Sequence, residues 1–117
     1  MATDARKWRG VNIVMLKVVT RQERGLLQVK IQGILDYATI GNFNESLPDL
    51  AGIEKIDIDF ADLEFTDSTG IGAVLELIYA ASESGAKVEF HGMRELVKVI
   101  FETVGVFDIL RTLQEGG

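Results

Sequence analysis

The chain has 117 residues, of which 47% are hydrophobic, and this size favours one compact domain with a single core. Its formal net charge of -6 argues against attraction to nucleic acid or to an anionic membrane surface. It contains no cysteine, which excludes disulfides and thiolate chemistry, so we expect a cytoplasmic protein whose partner is another protein.

The N-terminal residues are predicted to form a polar arm, residues 1–11. Basic residues in the arm and the apolar run after them resemble the start of a signal peptide, but Asn12 and Lys17 interrupt that run. A membrane helix requires about 18 uninterrupted apolar residues, and no window of the chain supplies them. We place one domain at residues 12–113 and a C-terminal tail at residues 114–117.

Two strands are predicted at the start of this domain. Apolar residues alternate with more mixed ones over residues 13–20, and they alternate cleanly with polar ones over residues 27–32. This period of two is typical of half-buried strands. The short polar segment between them, residues 22–25, contains a glycine and favours a hairpin, so the two strands should be antiparallel.

A helix and a third strand are predicted next. Apolar side chains recur at steps of three and four over residues 40–50, which is the spacing of a helix face. Pro48 has no backbone donor, so the helix should end or kink by Leu47. Residues 55–60 alternate again and predict a strand, whereas residues 61–66 are predicted to be a loop.

The second predicted helix covers residues 71–81. It should stop at Gly85, because glycine readily adopts the left-handed conformation that ends helices. Residues 88–90 predict another strand. The buried face of this helix is predicted to consist of Ile71, Val74, Leu75 and Ile78.

A third helix is predicted over residues 94–103, ending at Gly105, and residues 107–110 form either a short strand or a helical turn. The face of the third helix is predicted to carry Leu96, Val99 and Ile100. The alternation of strands and helices indicates an α/β fold with right-handed crossovers. We expect a small mixed sheet with an antiparallel N-terminal hairpin, later parallel strands and helices packed on it.

The segment between the third predicted strand and the second predicted helix carries the main candidate site. It reads Asp67-Ser68-Thr69-Gly70-Ile71-Gly72. Free backbone N–H groups and the positive end of the dipole favour a negative charge at a helix N-terminus. A phosphate on Ser68 would be well accommodated there, although a serine in this position is most simply an N-cap.

This hexapeptide resembles the signature of the STAS-domain anti-sigma factor antagonists, bacterial regulators that bind serine kinase anti-sigma factors. Two further segments resemble that family: Gly33-Ile34-Leu35-Asp36 after the second strand, and Val104-Gly105-Val106-Phe107 after the third helix. Together the matches cover about residues 13–110. The resemblance implies a single STAS-type domain.

The resemblance also implies a site and a partner. The phosphoacceptor corresponds to Ser68, with Thr69 as the reserve, and an acidic residue near the partner surface corresponds to Asp36. Partner binding is thus expected to involve Asp36, Asp67, Ser68, Thr69 and Gly70. The unphosphorylated protein would bind an anti-sigma factor serine kinase, and phosphorylation would end the binding; no cofactor is implied.

The same residues leave two other functions open. A STAS scaffold or regulatory subunit, assembling with itself or with other STAS proteins, would need no phosphorylation. A phospho-aspartate receiver-like domain could use Asp59 as its acceptor, but the hydroxyl-rich loop would then have no role. Asp57 and Asp59 are more simply a solvated strand face than a phosphotransferase pair.

We therefore predict that the chain is not an enzyme. Gly70 and Gly72 lack the third glycine of a dinucleotide fingerprint, and no phosphate loop is present, although weak nucleotide binding at the helix mouth stays open. His91 is the only histidine. With cysteine absent, we predict that it is a structural residue at a strand end and that there is no metal site.

Overall fold

The structure is a computed structural model that describes residues 15–115. The predicted arm lies outside this range, as do residues 116–117. In the described part, the elements in chain order are β1 (Leu16–Glu23), β2 (Leu26–Leu35), α1 (Ile40–Ser46), β3 (Lys55–Asp59), β4 (Leu63–Thr66), α2 (Ser68–Ser84), β5 (Lys87–His91), α3 (Glu95–Val104) and α4 (Val106–Glu115). This order confirms the predicted α/β fold.

The strands form one mixed sheet in the order β1-β2-β3-β5. β1 and β2 are antiparallel, as predicted, and are joined by a two-residue turn at Arg24 and Gly25, both with positive φ. This is the conformation that matches the twist of a hairpin. β3 is parallel to β2, and β5 is parallel to β3.

The loop predicted over residues 61–66 is wrong from Leu63 onward, where β4 forms. β4 runs parallel to the last part of β2, with Leu35 opposite Thr66, and the register shifts between Gly33 and Ile34. Both end residues of β4, Leu63 and Thr66, are buried, while the two between them are exposed. Four residues with this burial show no alternation, so periodicity could not reveal the strand.

The core lies on one face of the sheet, where inward side chains of the strands meet the four helices of the described chain. The inward residues of β2 and β3 are Leu27, Val29, Ile31, Leu35, Ile56 and Ile58. The opposite face carries polar side chains, among them Gln28, Lys30, Asp57 and Glu89. Within residues 15–115, no helix combines the length and the apolar character needed to cross a membrane.

The first two helices largely match the prediction. α1 ends at Ser46, and Leu47 is extended because it precedes Pro48. α2 begins at Ser68, three residues before the predicted start, and stops at Gly85 in the left-handed conformation. Among the predicted face residues Ile71, Val74 and Ile78 are buried, whereas Leu75 is only partly buried.

The predicted face of α3 is wrong for two of its three residues, since only Ile100 is partly buried against the core. Leu96 and Val99 are 59% and 47% exposed, while Val97 and Phe101, one turn apart, are buried. The final segment, for which a strand and a helical turn were both open, is the helix α4. Its Phe107 packs beside Phe101 and Phe90, with ring centroids 6.2 Å and 6.0 Å away.

Candidate functional site at the N-terminus of α2

The candidate site lies where β2 and β4 end side by side. Asp36 directly follows Leu35, the last residue of β2, and Asp67 directly follows Thr66, the last residue of β4. Since Leu35 and Thr66 are register partners, the two aspartates begin neighbouring turns. The carboxyl ends of parallel strands are the usual place for a site in α/β sheets.

Asp67, not Ser68, caps α2. Its backbone is extended, its Oδ1 accepts a 2.9 Å hydrogen bond from Gly70 N, and its carbonyl oxygen accepts one of 3.0 Å from Ile71 N. The simple interpretation of Ser68 as the N-cap is therefore wrong. Ser68 occupies the first helical position, where it is exposed, whereas Thr69 is half-buried.

The Asp67 carboxylate also holds the turn after β2. Its Oδ2 accepts a 3.2 Å hydrogen bond from Tyr37 N. The hydrogen bond from Gly70 N lowers the pKa of Asp67 below its usual value; desolvation raises it, and the bond from Tyr37 N lowers it further. The charged carboxylate is thus the form that the site stabilises.

A second link between the two turns is buried. Thr66 Oγ1 donates a 2.8 Å hydrogen bond to the carbonyl oxygen of Leu35, and Thr66 is buried. This contact satisfies polar groups that could not reach solvent. Together with the bond between Tyr37 and Asp67, it ties the start of α2 to the end of β2.

Gly70 allows this close approach. A Cβ atom at Gly70 would lie 2.2 Å from the carbonyl oxygen of Leu35 and 2.3 Å from Thr66 Oγ1. At Gly72 a Cβ would meet nothing within 4 Å. The two glycines of the hexapeptide therefore differ: the first is required by the packing of α2 on the sheet, and the second is not.

Asp36 lies in the turn next to Asp67, and one oxygen of its carboxylate already accepts hydrogen bonds within that turn. Asp36 Oδ1 accepts hydrogen bonds from Ala38 N at 3.0 Å and Thr39 N at 3.2 Å. Asp36 is half-buried, and its carboxylate shapes the turn that leads to α1. Asp36 and the Ser68 segment are brought together through the Tyr37 backbone.

Tyr37 and Thr66 also belong to the site, and neither was predicted from the sequence. The Tyr37 side chain is 80% exposed beside the Ser68 segment. An aromatic residue directly after a turn aspartate is a weak signal, because solvent exposure cannot be read from one position. The role of Thr66 depends on the pairing of β2 with β4, and β4 itself was not predicted.

The other singled-out residues lie on the polar face of the sheet. Asp57 and Asp59 share this face, as predicted, but both are half-buried. Asp59 Oδ1 accepts a 2.8 Å hydrogen bond from Ala61 N, which gives it a turn-forming role. His91 is the last residue of β5, as predicted, and lies near Asp57 and Glu89.

The fold and the site together define a STAS domain. The STAS domain family model matches residues 17–115, and the chain belongs to this family. Among its curated relatives is the anti-sigma-B factor antagonist of Staphylococcus epidermidis. The two are 24% identical over 97 residues, which cover 81% of this chain and 90% of that protein.

Solved structures share the fold at low sequence identity. The anti-sigma factor antagonist SpoIIAA in its unphosphorylated form has a TM-score of 0.68 at 18% identity, over 77% of this chain and 82% of its own. The phosphorylated form, from Bacillus, has a TM-score of 0.64 at 17% identity, over 79% and 86%. The murine anion transporter solute carrier 26 family member A9 has a TM-score of 0.69 at 16% identity, over 89% of this chain and 21% of its own.

Proposed function

We propose that this chain is a cytoplasmic, non-enzymatic anti-sigma factor antagonist. It binds a serine-kinase anti-sigma factor when Ser68 is unphosphorylated and is released when that kinase phosphorylates Ser68. The observation that carries this proposal is the exposed Ser68 at the first position of α2, with Asp67 acting as the cap. A hydroxyl that is not needed as the cap is free to be modified.

The relatives support the same assignment. The staphylococcal relative is named an anti-sigma-B factor antagonist, and SpoIIAA is an anti-sigma factor antagonist with structures in unphosphorylated and phosphorylated forms. Both share the fold or sequence of this chain over most of their own length. A protein of this fold therefore exists in both an unphosphorylated and a phosphorylated form.

The fold should tolerate a phosphate on Ser68. A phosphate adds about -1.5 to -2 charge at pH 7. At the N-terminus of α2 the helix dipole favours such a charge by about 0.3–1 kcal/mol. Ser68 is exposed, so the phosphate remains solvated in the free protein. Phosphorylation should leave the domain folded.

In a complex the same phosphate should be unfavourable. Ser68 lies next to the charged Asp67 carboxylate, and a partner surface that accepts a neutral hydroxyl would have to desolvate a dianion beside it. Leaving a buried charge unpaired costs about 2–5 kcal/mol, and each 1.4 kcal/mol is tenfold in affinity. Release of the partner follows from this penalty.

The partner surface proposed around Ser68 includes Asp36, Asp67, Thr69 and Gly70. Their roles in it differ, because Asp67 and Gly70 shape the backbone through the contacts described above, and Asp36 shapes the adjacent turn. Direct contact with the partner would then come from the exposed Ser68 and from the neighbouring turn.

The proposal is tested by mixing the protein with a candidate anti-sigma factor kinase and ATP, and following intact mass and complex formation. Wild type should gain one phosphate and leave the complex. Ser68→Ala should gain none and stay bound, whereas Ser68→Asp should bind at least about tenfold more weakly. Thr69→Ala, at the reserve position, should still gain one phosphate on Ser68. Ser82→Ala, at an exposed position in the last turn of α2, is the matched control and should behave as wild type.

Two results would overturn the proposal. Phosphate gain by Ser68→Ala at the wild-type rate would remove the site assignment. Tight binding by Ser68→Asp would remove the release mechanism. A third result would favour the scaffold alternative over the switch: no kinase phosphorylates or binds the protein, and light scattering shows that the protein self-associates.

A further inference from the structure

We propose that Asp57, Glu89 and His91 form a binding site for a divalent transition-metal ion, with zinc the best fit. One ligand atom from each of the three residues lies within 4.8 Å of the others. The cluster is on the polar face of the sheet, opposite the core, and it is independent of Ser68. This departs from the expectation that His91 has no metal-binding role.

The strand register brings the three residues together. β3 and β5 are parallel neighbours, with Asp57 opposite Glu89 and Asp59 opposite His91. Side chains two residues apart on a strand point to the same face, so Glu89 and His91 flank Asp57 from one side. The cluster cannot be predicted from the sequence, because the register of two parallel strands is not visible in either strand alone.

Two of the three separations between ligand atoms are close to those around a shared ion, and the third is within 4.8 Å. His91 Nε2 is 3.4 Å from Asp57 Oδ1 and 3.1 Å from Glu89 Oε1. With metal–ligand bonds of about 2.0–2.2 Å, the ligand atoms of a tetrahedral zinc site lie about 3.3–3.6 Å apart. An ion could therefore bind with small side-chain adjustments and no movement of the strands.

Within this cluster, Asp57 Oδ1 lacks a hydrogen bond from any described residue, although His91 Nε2 and Lys55 Nζ lie 3.4 Å and 3.6 Å from it. This oxygen is shielded from solvent and has no hydrogen-bond partner among the described residues, and the Asp57 side chain is only 22% exposed. A buried carboxylate oxygen without a hydrogen bond carries a desolvation cost. A metal ion bound at this oxygen would offset that cost.

The surroundings leave room for a further ligand and favour zinc. Beside the cluster is an open groove of about 550 Å³, lined in part by Gln28, Lys30 and Asp59. A water molecule or a small anion could take the fourth position from this groove. One imidazole with two carboxylates suits zinc, whereas calcium and magnesium prefer oxygen ligands alone.

Lys55 is the competitor for this site. Its Nζ lies 3.6 Å from Asp57 Oδ1 and 3.6 Å from Glu89 Oε2, beyond hydrogen-bond distance but close enough to oppose a second cation. Metal binding must displace this ammonium group. Removing the ammonium group with Lys55→Gln should therefore tighten metal binding. If the three residues only formed ion pairs with Lys55, this substitution would not increase the affinity for zinc.

The test is to titrate the untagged, chelator-treated full chain with zinc chloride and to measure binding by isothermal titration calorimetry. Wild type should bind one zinc ion. His91→Gln and Glu89→Gln should each weaken binding by at least about tenfold, and Lys55→Gln should strengthen it. Asp62→Asn is the control, since Asp62 is exposed and bonds only to Gln32 among the described side chains; it should leave the affinity unchanged.

Because His91 is the only histidine, its imidazole resonances identify the site directly. Zinc should shift them in wild type, and circular dichroism should show that each variant is folded. The proposal is overturned if wild type fails to bind zinc, if a folded His91→Gln binds as tightly as wild type, or if the imidazole resonances do not move at saturation.

Discussion

Asp67 accepts hydrogen bonds from Gly70 N and Tyr37 N with its two carboxylate oxygens. The sequence was sufficient to locate this segment at a helix N-terminus and to select Ser68 as the candidate hydroxyl. It was not sufficient to identify the cap, because aspartate and serine are both strong N-caps. That choice depends on where β4 ends, and β4 is set by its pairing with β2.

The charge on Asp67 should make stability depend on pH. Its pKa in the folded state is lowered from the usual 3.8, so its stabilising effect is complete above that value and is lost as pH falls through the folded-state pKa. We expect Asp67→Asn to lower the free energy of unfolding at pH 7, and the difference from wild type to be smaller at pH 3, since pH 3 is below 3.8. Urea unfolding at both pH values measures this difference.

Leu96→Ala is the control for this pH dependence. Leu96 is exposed and the substitution changes no charge, so its small difference from wild type should be the same at both pH values. A constant gap between Asp67→Asn and wild type at both pH values would contradict the assignment of Asp67 as a charged cap.

The two glycines of the hexapeptide provide a matched pair of variants. Gly70→Ala should lower the free energy of unfolding by about 1–3 kcal/mol, because the new Cβ would overlap the carbonyl oxygen of Leu35. Gly72→Ala should raise it by about 0.5–1 kcal/mol, since its Cβ meets nothing within 4 Å and alanine favours the helix. In chemical unfolding, the changes in the free energy of unfolding should have opposite signs for the two variants. Equal changes would contradict the close approach at Gly70.

At the scale of elements, the sequence predicted every strand within residues 15–115 except β4 and every helix except α4. Leu96, Val99 and Ile100 have helical spacing, yet the fully buried residues of α3 are Val97 and Phe101. An amphipathic pattern is ambiguous when apolar residues occur on both sides of a helix, so the neighbouring elements decide which side is buried.

Two substitutions on α3 distinguish its faces. Val97→Ala should lower the free energy of unfolding by about 2 kcal/mol, because Val97 is fully buried and the change leaves a cavity. Leu96→Ala should change it by less than about 0.5 kcal/mol, since Leu96 is largely exposed. Thermal or urea unfolding measures both, and a larger loss at Leu96 would restore the originally predicted face.

At the scale of the whole molecule, one core on one face of the sheet joins all the described elements. Segments with strand-like and helix-like spacing of apolar residues alternate along the chain. This was enough to predict the α/β architecture, since strands and helices each bury one face. The sheet order was not predicted, because it depends on contacts between distant parts of the chain. α4 also covers the outer strand: Gln114 Oε1 accepts a hydrogen bond from Val88 N of β5.

Removing α4 should therefore affect the entire domain. A variant that ends at Gly105 loses the buried Val106 and uncovers Phe101 and Phe90, which Phe107 otherwise contacts. We expect it to lose cooperative thermal unfolding in calorimetry. Thr112→Ala, at an exposed position of α4, is the control and should unfold as wild type. A cooperative transition in the shorter chain would show that α4 is dispensable for the core.

The tight fit of Gly70 against Leu35 has a consequence for how a signal could pass through this domain. The first turn of α2 is held by a buried backbone contact and by the Asp67 carboxylate, so it has little room to move toward the sheet. If Ser68 carries the proposed phosphate, the domain should present the new charge on an almost unchanged shape. Information would then be encoded in surface charge, and the conformational response would belong to the partner.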